Sequence, residues 1–456
     1  MRSADLVGRA VAIWGAGKEG TSAAQHLARV HVRDVVVTED DDATREAATF
    51  ALGALGLDTA IVGGDDGEQA RQRADVVVVS PGISRYRSDI VALRDRGTVV
   101  TNATALALAD AAESSTTIIG ITGSKGKSTT TALTRHLLHL AGHDAEEGGN
   151  IGRPALDLLD EGHDVLVLEV SSYQASEVEI GPDHAVLTAL FPEHLDWHGG
   201  VERYYADKLR LLRASHVQSI SVNATDHNAM AHTADLDRRV YGTAAGINAR
   251  EGALYDGDRR LAATSSRLRG AHTLTNAAGA LAAASAFDAN LLAQPELLQE
   301  WMRTFEPLPH RLQSIGVYGD VEYVDDSIAT SPSATAAALD AFADRAVTLL
   351  VGGHDRSLPL DPLLEALARR TAPTLVCAMP TTGEHVADAI EEKVDVKDLT
   401  IVRCDSLDDA VSIAHRRTAA GAVVLLSPAA ASYDRFTSYA HRGAEFQRLV
   451  RVHAGE

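Results

Sequence analysis

The run Gly123-Ser124-Lys125-Gly126-Lys127-Ser128-Thr129 brings glycines, amines and hydroxyls together at the spacing of a phosphate-binding loop. Its glycines let backbone N–H groups turn inward around phosphate oxygens, Lys127 offers a point charge to the β and γ phosphates, and Ser128 offers a hydroxyl to Mg²⁺. In the commoner loop four residues separate two glycines, but the place of the first glycine is held here by Ile121. A shorter Gly-Ser-Lys-Gly-Lys-Ser loop is the better description. The apolar run Thr116-Thr117-Ile118-Ile119 before it predicts a buried strand and Thr131 to Leu138 after it a helix, the context such a loop requires.

Three other places could do chemistry. Glu169 closes the apolar run Val165-Leu166-Val167-Leu168 and precedes Ser171-Ser172-Tyr173-Gln174. It is either a ligand for phosphate-bound Mg²⁺ or a strand-end acid facing water. Phe191-Pro192-Glu193-His194-Leu195-Asp196-Trp197-His198 sets imidazoles and carboxylates just past another apolar run, where a second metal site can form. Within it His198 reads as a solvated spectator. Lys208 lies in Tyr204 to Leu212, a helix with one apolar face, and periodicity alone makes it an ordinary surface lysine.

These residues need elements to hold them. Ala10 to Trp14 predicts a strand, Gly15-Ala16-Gly17-Lys18-Glu19-Gly20 a turn, and the pattern through Leu27 a helix; Val35-Val36-Val37 forms a second strand ending in Thr38-Glu39-Asp40. Asp75 to Val79 adds a strand stopping at Ser80-Pro81-Gly82, where ligands of open α/β sheets bind. This is a Rossmann-like pattern, although a glycine turn serving only helix packing reads the same way. The next segment alternates strands and helices, and Thr275-Asn276 precedes an alanine-rich helix from Ala277 to Phe287. Pro307 and Pro309 mark a boundary, after which Val347 to Gly353 and Ala422 to Pro428 repeat the α/β habit. The expected fold class is α/β in three domains: a Rossmann-like N-terminal domain over 1–112, a central P-loop ATPase domain with a parallel-rich sheet over 113–306, and a Rossmann-like C-terminal domain over 307–456.

Composition narrows the partners. Among 456 residues, 42 Lys and Arg against 63 Asp and Glu give a formal charge of −21, which disfavours nucleic acid or an anionic membrane as a general partner. Lysine occurs only at Lys18, Lys125, Lys127, Lys208, Lys393 and Lys397, so a lysine kept where arginine is the habit hints at chemistry that needs an amine. Cys377 and Cys404 offer neither a disulfide framework nor a metal cluster. With no apolar leader and no uninterrupted apolar run near 18 residues, the expectation is a cytoplasmic chain.

Taken in order, the phosphate loop, Gly148-Gly149-Asn150-Ile151-Gly152, Glu169 to Gln174, Glu193-His194-Leu195-Asp196, Lys208-Leu209-Arg210, Leu308-Pro309-His310-Arg311, Asp325-Asp326-Ser327 and Leu425 to Tyr433 resemble the Mur ligases, and among them the glutamate-adding MurD branch. The resemblance runs from about residue 10 to about 450 and implies a UDP-sugar domain, an ATPase and an amino-acid domain. It further implies that ATP phosphorylates the terminal carboxylate of UDP-N-acetylmuramoyl-L-alanine and that the amine of glutamate attacks the acyl phosphate.

By that resemblance Gly123, Ser124, Lys125, Gly126, Lys127, Ser128 and Thr129 hold the phosphates, and Ser128 and Glu169 hold one Mg²⁺. His194 binds a second Mg²⁺, and Lys208 matches a lysine carbamylated by CO₂, whose adduct turns a cation into an anionic oxygen ligand. Lys127, His194 and Lys208 are thereby the implied catalytic set. Asn150 meets substrate or phosphate, Asn276 the adenine, and Arg311 and Asp326 the nucleotide. Gly15, Gly17, Thr38 and Ser80 fall where the family meets the UDP end, and Ile328, Thr330, Arg356, Ser432, Tyr433 and Tyr439 on the amino-acid side.

The chain leaves the D-glutamate pattern at Ile328 and Arg356, where lysines are usual, and at Tyr439, where phenylalanine is frequent. A hydrogen bond to a charged group is worth about 1.5 to 3 kcal/mol, so the glutamate must lie differently. Asp325-Asp326-Ser327-Ile328 followed by Thr330-Ser331-Pro332 resembles relatives that add L-glutamate and leave inversion to a separate epimerase. The expected enzyme is a monomer using L-glutamate. An ordinary D-glutamate enzyme, another amide ligase of the folylpolyglutamate synthase kind, and a non-enzymatic nucleotide-binding regulator remain the alternatives.

Overall fold

The computed structural model describes residues 1–264, 268, 270–433 and 435–455. Near-continuous Val, Ile and Leu runs become strands buried on both faces, as parallel sheets covered by helices require. The first sheet contains β1 (Ala10–Trp14), β2 (Asp34–Thr38), β3 (Ala60–Val62), β4 (Val76–Val79) and β5 (Val99–Thr101), in the order β3-β2-β1-β4-β5. Every pairing in it is parallel. The order reverses between β1 and β4, so the crevice for a ligand opens at their carboxyl ends. Gly15 and Ser80 stand there, and the Ser80 hydroxyl donates to Gly15 O at 3.1 Å.

The second sheet has nine strands: β6 (Thr117–Thr122), β7 (Ala145–Gly149), β8 (Val165–Glu169), β9 (His184–Leu187), β10 (Ser219–Asn223), β11 (Arg239–Tyr241), β12 (Ile247–Arg250), β13 (Ala253–Asp256) and β14 (Arg259–Ala263). Its order is β14-β13-β12-β11-β10-β9-β6-β8-β7, parallel except for the terminal hairpins of β12, β13 and β14. Thus β6 lies between β8 and β9, and the ends of all three strands share one edge. The alanine-rich helix begins earlier than its sequence texture indicates. It runs Ala271–Phe287, so Thr275 and Asn276 lie inside it rather than before it.

The third sheet is built from β15 (Gln313–Tyr318), β16 (Val321–Asp325), β17 (Val347–Val351), β18 (Thr374–Ala378), β19 (Leu399–Arg403) and β20 (Val423–Leu426), in the order β15-β16-β20-β17-β18-β19. Only β15 runs antiparallel to its neighbour. By compactness the chain forms two units, 1–264 with 274–305, and 306–456 with 265–273. The first two sheets share an apolar core that includes Leu27, Leu106, Leu156, Leu168 and Leu211, which is why they count as one unit. Among the described residues no helix is long and apolar enough to cross a membrane.

Candidate active site

The carboxyl edge of β6, β8 and β9 gathers the phosphate loop, Glu169, His194 and Lys208. Gly123 adopts φ 149°, and a Cβ there would fall 2.0 Å from Thr188 Oγ1, so only glycine lets the loop lie against the segment after β9. The Thr188 hydroxyl donates to Lys125 O at 2.6 Å and holds the loop from below. Ser124 is turned inward: its N–H donates to Ala189 O at 2.7 Å and its hydroxyl to Phe191 O at 2.7 Å. It shapes the loop, whereas Lys125 reaches outward to Glu193 at 3.0 Å.

Gly126, at φ 89°, starts the helix Lys127–Leu140 with no side-chain cap on its first turn. The uncapped N–H groups and the helix dipole favour an anion there. A Cβ at Gly126 would lie 2.4 Å from Asn276 Oδ1, which places Asn276 against the loop. Lys127 folds back, its amine donating to Gly123 O at 2.9 Å and Ser124 O at 3.2 Å.

Glu169 is only 2% exposed. Its Oε1 accepts from Asn150 Nδ2 at 2.7 Å, whereas Oε2 is buried with no hydrogen-bond partner. A buried carboxylate oxygen left unpaired is costly, and a cation would satisfy it. The strand-end acid facing water is therefore not what Glu169 is. Lys208 is also 2% exposed, and its amine donates to Gly123 O at 2.9 Å. Burial first, and then the charge of Lys127, push that amine well below the ordinary lysine range. The surface-lysine reading fails because Lys208 sits on the inward face of the helix Val201–Arg213, between buried Tyr204 and Leu211. A neutral buried amine is the form that reacts with CO₂.

His194 occupies the left-handed region at φ 55° as it starts the short helix Leu195–His198. Its ring lies 5.1 Å from that of Tyr173. Burial lowers its pKa, aided by the neighbouring lysines, a direction that favours the neutral imidazole a metal would need. Among the described residues no three His, Cys, Asp or Glu side chains converge on a metal cage. Side chains at this edge that could hold a hard cation are instead mixed: the Ser128 hydroxyl, the Glu169 carboxylate and the His194 ring. Oxygen donors with one imidazole suit a hard cation that also takes phosphate oxygens.

His198 corrects an expectation. Far from being solvated, it is 0% exposed, with Nδ1 2.7 Å from Asp207 Oδ2 and Nε2 3.0 Å from Ser172 Oγ. Periodicity could not reveal this, since Asp207 belongs to the next helix and Ser172 to the segment after β8.

At the first sheet, a Cβ on Gly20 would lie 1.8 Å from Gly15 O, so the glycine turn does serve close helix packing. It also leaves an opening: Gly17 is exposed, Ala16 N donates to Glu39 Oε2 at 2.9 Å, and Thr38 is fully buried with its hydroxyl on Ile13 O at 3.3 Å. Glu19 accepts from Gln174 Nε2 at 2.7 Å, and burial raises its pKa to about 7.

In the second unit, Asp326 and Ser427 meet at the carboxyl ends of β16 and β20, hydroxyl to carboxylate at 2.8 Å. Burial raises the pKa of Asp326 to about 7. Arg311 lies near enough to act on that carboxyl, and its Nε is buried without a partner. Thr330 and Arg356 line one cavity of 440 Å³ together with His354, His385 and Lys393, and Arg356 Nη2 donates to Thr330 O at 2.8 Å. Ile328 is not part of that lining, whose cationic side chains are Arg356 and Lys393 beside the acidic Asp355, Asp361, Asp388 and Glu392. Ser432 is buried, whereas Tyr433 and Tyr439 are exposed. Sequence reasoning missed Arg442, which is 2% exposed and clamps Ser327 O, Ala430 O and Ala431 O.

The chain matches the Mur ligase middle domain over residues 121–284 and the Mur ligase glutamate ligase domain over residues 310–430. It is 40% identical to the UDP-N-acetylmuramoyl-L-alanine–L-glutamate ligase of Micromonospora sp., covering 100% of this chain and 99% of the relative. The protein of the same name from Salinispora tropica is also 40% identical, over 100% of both chains. The UDP-N-acetylmuramate-alanine ligase MurC of Thermotoga maritima has the same fold, with a TM-score of 0.59 at 16% identity, covering 98% of this chain and 100% of that one. A phosphate loop, an orphaned buried carboxylate and a buried lysine at one sheet edge, within a chain matched end to end, place this protein in the Mur ligase family.

Proposed function

We propose that this chain is an ATP-dependent, ADP-forming ligase that joins L-glutamate to UDP-N-acetylmuramoyl-L-alanine, a step of peptidoglycan precursor synthesis. The observation that carries the nucleotide half is the shared edge itself: Lys127 and Lys208 both donate to Gly123 O at 2.9 Å, beside Glu169 with an unpaired buried oxygen. The acceptor and the amino acid rest on the relatives at 40% identity.

A carboxylate becomes an acyl donor only when one of its oxygens is made a good leaving group. The terminal carboxylate of the muramoyl-alanine attacks the γ-phosphorus, the bond to the bridging oxygen breaks, and ADP leaves. The glutamate nitrogen then bonds to the acyl carbon, the carbon–oxygen bond to phosphate breaks, and inorganic phosphate departs while the amine proton passes to solvent. Phosphoryl transfer asks the protein mainly for positioning and charge neutralisation. Lys127 and the first turn of the helix Lys127–Leu140 would hold the β and γ phosphates, and Asn276 the nucleoside side of the loop. Mg²⁺, when bound, supplies further neutralising charge; Ser128, Glu169, His194 and a carbamylated Lys208 are the residues that would hold it. Asn150 orients Glu169. Gly15, Gly17, Thr38 and Ser80, at the carboxyl edge of the first sheet, would bound the UDP end. Arg311 and Asp326 would meet the nucleotide, and Thr330, Arg356, Ser432, Tyr433 and Tyr439 the glutamate.

We read the domains as 1–112, 113–306 and 307–456, supported by one sheet lying in each range. The cytoplasm, where ATP and UDP-sugars are found, is the setting this reaction needs, and an epimerase acting on the L-glutamyl product is its natural successor. Phosphate release in the presence of ATP, Mg²⁺ and UDP-N-acetylmuramoyl-L-alanine, compared between L- and D-glutamate, tests the reading. Release faster with L-glutamate is expected. A preference for D-glutamate would overturn the stereochemistry, and no release with either would overturn the amino acid.

A further inference from the structure

Ser172, His198 and Asp207 make one continuous buried chain. A carboxylate only accepts, so Nδ1 of His198 donates to Asp207 Oδ2 at 2.7 Å, and Nε2 lies in hydrogen-bond contact with the Ser172 hydroxyl at 3.0 Å. All three side chains are at most 3% exposed. Each lies within four residues of one of the candidate ligands along the chain. Ser172 follows Glu169 by three residues, His198 follows His194 by four, and Asp207 directly precedes Lys208. The chain is extended from the first sheet: Tyr86 donates its hydroxyl to both Asp207 oxygens at 3.1 and 3.0 Å, and Ser84 Oγ donates to Trp197 O at 2.5 Å. The Tyr173 ring stacks on those of Trp197 and His198, with centroids 4.5 and 5.6 Å away, and packs the same region from the side.

We infer that Ser172, His198 and Asp207, braced by Tyr86, are positioning residues that set the mutual placement of Glu169, His194 and Lys208 for Mg²⁺-dependent nucleotide binding. The inference rests on the ligand roles proposed above. None of the brace residues is among the nucleotide contacts proposed above; they act by adding polar ties between three elements that ring stacking and the Arg210 Nη1 to Ser176 O hydrogen bond also join. A buried polar group satisfied at every position has one low-energy arrangement, so the elements it ties lose their freedom to drift. Residues behind metal ligands typically change metal affinity by about 10- to 100-fold when removed.

The test uses the full chain with Ser172→Ala, Asp207→Ala and Asp207→Asn, and calorimetric titration of ADP with and without Mg²⁺. Ser172→Ala removes one hydroxyl and preserves packing, so it guards against a variant that fails to fold. The expected result is that Mg²⁺-supported ADP affinity falls about tenfold in Ser172→Ala and further in Asp207→Ala, while affinity in chelator is unchanged. Asp207→Asn, which keeps an oxygen for His198, should recover part of the loss. A ¹³C carbamate resonance, raised with labelled bicarbonate, should weaken in step. Equal losses with and without Mg²⁺, or unchanged Mg²⁺ dependence in the folded variants, would overturn the brace. A parent chain that gains no ADP affinity from Mg²⁺ would overturn the ligand assignments, and the brace with them.

Discussion

The carbamate proposed for Lys208 requires that the commoner basic residue of this chain cannot replace it. Arginine stays charged and carries a planar fork that forms no carbamate, whereas the Lys208 amine is held low by burial and by Lys127. Lys208→Arg and Lys208→Ala should each lower the rate of phosphate release by at least the roughly 10- to 100-fold that loss of a group behind a metal ligand costs. Short carboxylates such as formate should restore part of the rate to Lys208→Ala and none to Lys208→Arg. Full activity of the alanine variant without added carboxylate would remove the carbamate from the scheme. Asp326 makes a prediction about pH. Its pKa rises from 3.8 in the unfolded chain to about 7 in the fold because burial disfavours the ion. The stability it contributes is complete below pH 3.8 and is lost as pH rises through about 7. Asp326→Asn stays neutral, so its stability relative to the parent should grow by roughly 2 to 3 kcal/mol between pH 5 and pH 8, read from denaturant melts at the two values.

At the scale of elements, glycines decide how closely helices and loops approach strands. The turn after β1 was legible from its glycines, but the sequence pattern alone left open whether they serve a ligand or packing. Gly20 answers for packing, since its missing Cβ would meet Gly15 O at 1.8 Å. Gly20→Ala must move the helix Lys18–Leu27 off β1, and the first unit should lose about 1 to 3 kcal/mol. Thermal melting followed by circular dichroism measures that loss; an unchanged midpoint would mean that the helix shifts freely. The start of the helix Ala271–Phe287 was misplaced for a related reason. Thr275 and Asn276 look like cap residues, yet the backbone continues helical through them, and Asn276 is presented to Gly126 from within the helix.

For the molecule as a whole, the apolar cores predict which parts stand alone. Residues 306–456 enclose their own core around Leu349, Leu363, Val376, Ile390 and Leu425, with a second cluster on the other face of the sheet around Leu426 and Phe446. Expressed by itself, that segment should unfold in one cooperative transition and should not bind ADP, since the phosphate loop lies outside it. A segment that remains unfolded would mean that residues 265–273 or the first unit complete its core. A cut between residues 112 and 113 should not release a folded fragment, because the first two sheets share apolar contacts such as Leu27, Leu106 and Leu156.

The sequence by itself determined the strands, the phosphate loop and the family, because apolar runs, glycine spacing and an ordered series of motifs are local properties of the chain. Glu169, His194 and Lys208 were legible as candidates on the same ground, yet as isolated residues each had an ordinary reading beside the functional one. Only the tertiary structure removed the exposed readings of Glu169 and Lys208. Burial is a sum over neighbours from distant parts of the chain, and it moved Lys208 from the surface to the interior, where its pKa is pushed well down, and left a Glu169 oxygen unpaired. The same cause hid the brace: Tyr86, Ser172, His198 and Asp207 share no period and no motif, and they meet because the segment after β4 folds back over the edge of the second sheet.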